Sequence, residues 1–164
     1  FYYYHSSLSG IDLPMPEFLE KADGVIPTLA GIKFNSMNLY EYQLCRRALG
    51  GKYDIVYGTD EFYAGARALG ARGFIGSTYN YQSDLYFEID RAFDRGDWEA
   101  VEAGMNKVCR GVDLLVRYGG VACGKVLMAT QGIDAGDPRL PLAALTTEQK
   151  QSILREYGEI MNGK

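Results

Sequence analysis

Leu29-Ala30-Gly31-Ile32-Lys33-Phe34 is a short apolar run of strand character with one cation set near its end. Turn and helix signals lie on both sides of it, and the same unit recurs outward along the chain. Before it, Phe1-Tyr2-Tyr3-Tyr4 is an aromatic strand over residues 1–4, and Pro14-Met15-Pro16 opens a helix to about Asp23. Proline is tolerated in a first helical turn, because its missing N–H has no partner there. After it, Ser36 is the expected N-cap of a helix carrying Leu39, Tyr42, Leu44 and Leu49 and closed by Gly50-Gly51. Tyr53 to Tyr57 is a third strand, a helix follows near 60–70, and Gly73-Phe74-Ile75-Gly76 is a short fourth strand. Strand starts about 20 to 30 residues apart are the spacing of βαβ units.

Beyond Asn80 the strand signals stop. Trp98, Val101, Met105, Val108, Val112, Leu115 and Val116 recur at helical spacing behind the N-cap candidate Asp97. That face is read as core or subunit interface. A shorter helix is expected near 123–131, then a loop through Gly136-Asp137-Pro138-Arg139-Leu140-Pro141. A last helix starts at about Thr146, with Thr147, Glu148 and Gln149 as capping chemistry.

Four successive βα units suit a doubly wound sheet or half of a (β/α)₈ barrel. The first would be helped by a glycine-rich phosphate loop after the first strand, and Ser6-Ser7-Leu8-Ser9-Gly10 is not one. A barrel takes roughly 250 residues, so 164 residues with four strands and tail helices correspond to its C-terminal half. The expected fold is therefore α/β, a partial TIM barrel in one domain, with barrel units over 1–96 and a helical segment over 97–164. The strand at the first residue, without an initiator Met, suggests a start inside a longer protein.

Composition narrows the function. The formal charge of −4 leaves no basic footprint for nucleic acid or anionic lipid. No apolar run approaches the roughly 18 residues of a membrane span. Cys45, Cys109 and Cys123 are an odd, widely spaced set, read as reduced core thiols of a cytosolic protein. No cluster has metal-ligand spacing, so neither a metal nor a cofactor is expected.

In barrels of this kind the active site lies at the C-terminal strand ends. Those ends read Tyr4-His5, Lys33, Gly58-Thr59-Asp60-Glu61 and Gly76-Ser77-Thr78. A lysine leaving an apolar strand into a barrel interior is desolvated, which favours the neutral amine that attacks a ketone. A tyrosine on the preceding strand can pass protons to a substrate oxygen. Blander readings stand beside these. Lys33 could face solvent, Tyr4 could be a rim aromatic and His5 could be structural. Asp60 and Glu61 could be first-turn helix acids, and Ser77 and Thr78 could be caps.

In order and spacing, Tyr2-Tyr3-Tyr4-His5, Gly31-Ile32-Lys33-Phe34, Gly58-Thr59-Asp60-Glu61 and Gly76-Ser77-Thr78-Tyr79-Asn80 resemble the C-terminal half of the dihydrodipicolinate synthase / N-acetylneuraminate lyase family of class I aldolases. The resemblance covers essentially the whole chain, and the last two motifs favour the sialic acid lyase branch. It implies that Lys33 forms the Schiff base and that Tyr4 relays protons at the aldol oxygen. Gly58, Asp60, Glu61 and Ser77 would hold the hydroxylated chain, with Gly76 placing backbone near the substrate. It further implies a homotetramer acting on sialic acid and pyruvate. The alternatives are a related 2-keto acid aldolase or synthase, and a non-catalytic truncated homologue that only binds sugar acids or a partner. The chain departs from the family pattern at two places: Ser6-Ser7 stands where a proline is usual, and Asn35 replaces the Thr or Ser expected as a substrate contact. The family's carboxylate-binding loop belongs to the N-terminal half, outside this chain.

Overall fold

The computed structural model describes residues 1–6, 9–10 and 13–163, so Ser7 and Leu8 of the loop read above lie outside the described residues. The chain divides into two compact units, residues 1–76 and 77–164.

The first unit is built on a parallel sheet of β1 (Tyr2–Ser6), β2 (Gly31–Asn35) and β3 (Asp54–Tyr57), in the order β1-β2-β3. Register is one to one, with Tyr4 opposite Lys33 and Lys33 opposite Val56. Strand side chains alternate between faces. Ile32, Phe34, Ile55 and Tyr57 point to one face, where they are buried with Met15 and Leu19 of α1 (Met15–Ala22) and with Tyr42 and Cys45 of α2 (Leu39–Arg47). The opposite face carries Tyr4, Lys33 and Asn35.

The helices are tied in by specific caps. The cap residue of α2 is Asn38, not Ser36: its side chain accepts from the Glu41 N–H at 3.1 Å, while Ser36 Oγ accepts from the Asn38 N–H. Asn38 stands directly before the first helical residue, so only its oxygen reaches the free donor one turn in. α2 ends at Arg47, and Leu44 and Leu49 are partly exposed, so its core contact falls to Tyr42 and Cys45. α1 has no side-chain cap of its own, and the Glu41 carboxylate accepts from the Met15 N–H at 2.9 Å.

The expected fourth strand is reduced to one parallel bridge, Tyr57 with Phe74, through Tyr57 N–H to Gly73 O and Ile75 N–H to Tyr57 O, both 2.9 Å. Two apolar residues between glycines are too few to extend a ladder. Between β3 and this bridge run a single 3₁₀ turn, Asp60–Phe62, and the short helix α3 (Tyr63–Ala68).

The second unit is helical: α4 (Tyr79–Arg95), α5 (Trp98–Tyr118), α6 (Gly120–Leu127) and α7 (Thr147–Met161). Among these helices, α4 takes the helix position of the fourth βα unit, directly after Ser77 and Thr78. Its core is Tyr81, Leu114, Leu115, Cys123, Leu127, Ile153, Tyr157 and Ile160. α5 has its expected cap, with Asp97 accepting from Ala100 N–H. Its buried stripe is Val101, Gly104, Val108, Gly111 and Leu115, while Trp98 and Val116 are exposed. Thr146, one residue before the expected Thr147, forms a complete capping box with Gln149. Cys45 and Cys123 are buried thiols, but Cys109 is exposed, because it follows Val108 round to the outer side of α5.

Candidate functional site

The site is assembled on one face of the sheet: Tyr4 and Lys33 are the middle residues of β1 and β2 and not the strand ends expected, because both strands run two residues further, while Asn35 ends β2 and Gly58 follows β3. Tyr4 and Lys33 project to the same side from opposed positions, and Lys33 Nζ lies 4.2 Å from the Tyr4 ring centroid. Lys33 is half-buried and Tyr4 is 52% exposed. Two residues along β2 and on the same face is Asn35. Gly58 follows β3, its N–H bonded to Phe34 O at 2.8 Å, so the ladder delivers it beside Lys33 and Asn35. A Cβ on Gly58 would lie 2.9 Å from both Lys33 Cε and Asn35 Oδ1.

Asp60 and Glu61 open the 3₁₀ turn after Thr59, and neither occupies the N-cap position of that turn or of α3. Asp60 is 5% exposed, an unusual depth for a carboxylate, and Glu61 is partly exposed. The Asp60 carboxylate fills the space a side chain on Gly76 would need, with Oδ1 1.5 Å from the position of that Cβ. The structure thus groups Tyr4, Lys33, Asn35 and Gly58, and joins Asp60 to Gly76, all within the first unit. Ser77 opens the second unit. It is exposed, and its carbonyl accepts from Asn80 Nδ2 at 2.9 Å. Thr78 stands at the cap position of α4 without a capping bond, its hydroxyl paired instead with the Tyr86 hydroxyl at 2.7 Å.

His5 points to the helix-facing side, its ring 4.8 Å from that of Phe34. Burial holds its imidazole below the usual range, with Glu41 acting in the opposite direction. Two supporting residues were not legible as such in the sequence. The Tyr57 hydroxyl donates to Ser36 O at 3.0 Å, fastening the end of β3 to the segment after β2. At the other end of the sheet, the Tyr2 hydroxyl donates to Asp54 Oδ2 at 2.8 Å. Both residues sit in strands, Tyr2 in an aromatic one and Tyr57 in an apolar one, where a tyrosine reads as plain core. Among the described residues, no group of three or more His, Cys, Asp or Glu is arranged to hold a metal ion. No helix among them is long and apolar enough to cross a membrane.

Residues 2–157 match the dihydrodipicolinate synthetase family. The chain belongs to that family. This dihydrodipicolinate synthetase family chain is 33% identical to the N-acetylneuraminate lyase of Rattus norvegicus over 152 residues, which are 90% of this chain and 48% of that relative. The solved N-acetylneuraminate lyase of Proteus mirabilis superposes with a TM-score of 0.95 at 50% identity, covering 98% of this chain and 54% of that one. The lyase of Aliivibrio salmonicida gives 0.94 at 50% identity, covering 98% and 53%. The family member thus spans about half the length of the relatives it matches. Its α/β architecture is that of a partial barrel.

Proposed function

We propose that this family member supplies the C-terminal half of a cofactor-free N-acetylneuraminate lyase and carries the imine-forming lysine and the proton relay. The observation that carries the reading is the placement of Lys33 Nζ over the Tyr4 ring on one face of the sheet, in a chain 50% identical to two such lyases.

The chemistry follows from these groups. The Lys33 amine adds to the C2 ketone of the sugar acid, and loss of water gives a protonated imine. That cation accepts the electron pair of the C3–C4 bond as it breaks, while the Tyr4 oxygen, as phenolate, takes up the proton of the C4 hydroxyl and can return it to C3 in the next step. N-acetylmannosamine leaves, the enamine is protonated at C3, and water releases pyruvate and the free amine. Gly58, Asp60, Glu61, Gly76 and Ser77 bind the hydroxylated chain, carboxylates being strong acceptors for vicinal hydroxyls. Asn35 takes the place of the family's hydroxyl contact. The complete enzyme is read as a cytosolic homotetramer on the resemblance alone.

Pyruvate with borohydride tests the reading in the full-length protein. A reduced adduct is expected at Lys33 and is lost in Lys33→Ala. Lys107 and Lys125 are the controls, since their ammonium groups are spent on the backbone carbonyls of Met161 and Ala135. An adduct without cleavage of N-acetylneuraminate would move the reading to another 2-keto acid aldolase. No adduct at Lys33 would leave a non-catalytic homologue.

A further inference from the structure

Neither Gly58 nor Gly76 has a positive φ, so backbone conformation does not call for glycine at either place. Space does. A methyl group on Gly58 would meet Lys33 Cε and Asn35 Oδ1 at 2.9 Å, with Phe34 O at 3.3 Å. On Gly76 it would meet Asp60 Oδ1, Cγ and Oδ2 at 1.5, 2.3 and 2.5 Å. Gly31 is a useful contrast: there the obstacle is the backbone of β3, with Asp54 O at 1.8 Å, so a side chain would break the sheet itself. At Gly58 and Gly76 the closest atoms belong instead to the side chains of the site.

We infer that Gly58 and Gly76 are positioning residues, each leaving empty the space that one part of the site fills: Gly58 for the Lys33 stem and the Asn35 amide, Gly76 for the Asp60 carboxylate. The consequences for turnover rest on the aldolase reading; the packing argument does not. A Cβ at 58 pushes against the end of a flexible stem, which yields cheaply, and the ammonium is carried off the Tyr4 ring. A Cβ at 76 cannot coexist with the present Asp60 rotamer, and the carboxylate must turn away. The two substitutions therefore injure different steps, imine formation in the first and recognition of the hydroxylated chain in the second.

Gly58→Ala and Gly76→Ala in the full-length protein test this. Gly58→Ala should slow pyruvate–borohydride trapping at Lys33 by up to about 100-fold, the scale of an ångström misplacement of a reacting group. Gly76→Ala should trap pyruvate within about twofold of the parent and raise KM for N-acetylneuraminate about tenfold or more. In an Asp60→Asn background, Gly76→Ala should cost clearly less than it does alone, because both act through one carboxylate. Equal losses of trapping and cleavage in both variants, or an undiminished cost in the Asp60→Asn background, overturn the inference. Where an alanine variant does not fold, returning the room from the other side should restore it, by Asn35→Ala with Gly58→Ala or Asp60→Gly with Gly76→Ala; failure of both pairs to fold also overturns it. A parent protein that forms no adduct at Lys33 removes the aldolase reading only. Crystal structures of the variants then decide the inference: displaced Lys33 and Asp60 side chains support it, and unmoved ones overturn it.

Discussion

Lys33 and Tyr4 face each other across the β1–β2 ladder, with the lysine nitrogen 4.2 Å from the centroid of the tyrosine ring. An ammonium over an aromatic face is attracted by the ring quadrupole. Both side chains leave strands that are hydrogen-bonded to each other, so their approach is set by the sheet and not by a mobile loop.

Tyr4→Phe keeps that ring and removes only the hydroxyl. Trapping of pyruvate at Lys33 should persist, while cleavage of N-acetylneuraminate falls roughly 10²–10⁴-fold, the range for a lost acid–base group. Single-turnover cleavage alongside mass spectrometry of the trapped adduct separates the two effects. Cleavage at the parent rate would assign the proton transfer to another group.

Asp60→Asn and Glu61→Gln should weaken cleavage of N-acetylneuraminate and spare the pyruvate adduct. A site built to pair hydroxyls leaves its acceptors unsatisfied when they are missing. The loss should therefore shrink on sialic acids with a shortened glycerol chain. Comparing kcat/KM on long and short substrates checks this, and equal losses would make the two acids structural.

The single histidine gives a clean pH signature. Burial lowers the proton affinity of His5 in the folded chain below the ordinary histidine value of about 6.5. The unfolded chain then binds the proton at a higher pH than the folded one, so folding is penalised on acidification. Stability from this source is complete above about pH 6.5 and declines as pH falls toward the folded-state value. Urea midpoints measured across this range should show the decline in the parent, and a shallower one in His5→Gln.

Thiol reactivity should separate the cysteines. Burial pushes the Cys45 thiol up to about 12 and the Cys123 thiol up to about 11. Thiolate is the reactive form. Maleimide labelling followed by peptide mapping should find Cys109 modified in the native protein, and the other two only as the chain unfolds.

Thr146→Ala removes the hydroxyl half of the capping box on α7, the bond from the Gln149 N–H, and keeps the backbone half, from the N–H of residue 146 to the Gln149 side chain. It should cost about 1 kcal/mol, read as a lower thermal midpoint. An unchanged midpoint would mean that packing of Ile153, Tyr157 and Ile160 alone holds the helix.

The strand–helix alternation of the first unit was readable because apolar runs and turn residues punctuate it regularly. The body of α4 was not. Tyr81, Leu85, Ile89 and Ala92 do recur at helical spacing, but Tyr79, Tyr86 and Phe87 blur the stripe and Gln82 departs from helical φ and ψ inside it. Lys33 and Tyr4 could be named as candidates from the expected strand ends alone. Their mutual approach could not, because it depends on register, which is set by sheet contacts between segments far apart in the chain. The burial of Asp60 against Gly76 was likewise invisible, since sequence carries no sign of which glycine a carboxylate will lean on.

The alternation along β2 puts Ile32 and Phe34 in the core and Lys33 and Asn35 on the opposite face. A slip of one residue would exchange these sets, sinking an ammonium beneath α2 and presenting a phenyl ring on the face proposed for the site. Correct pairing of this strand and competence for chemistry are therefore a single condition. A population that folds in the wrong frame would lose stability at the moment it lost the lysine, so misfolding here proofreads itself. A one-residue deletion within Gly31–Asn35 should be far more damaging than most substitutions at the same positions.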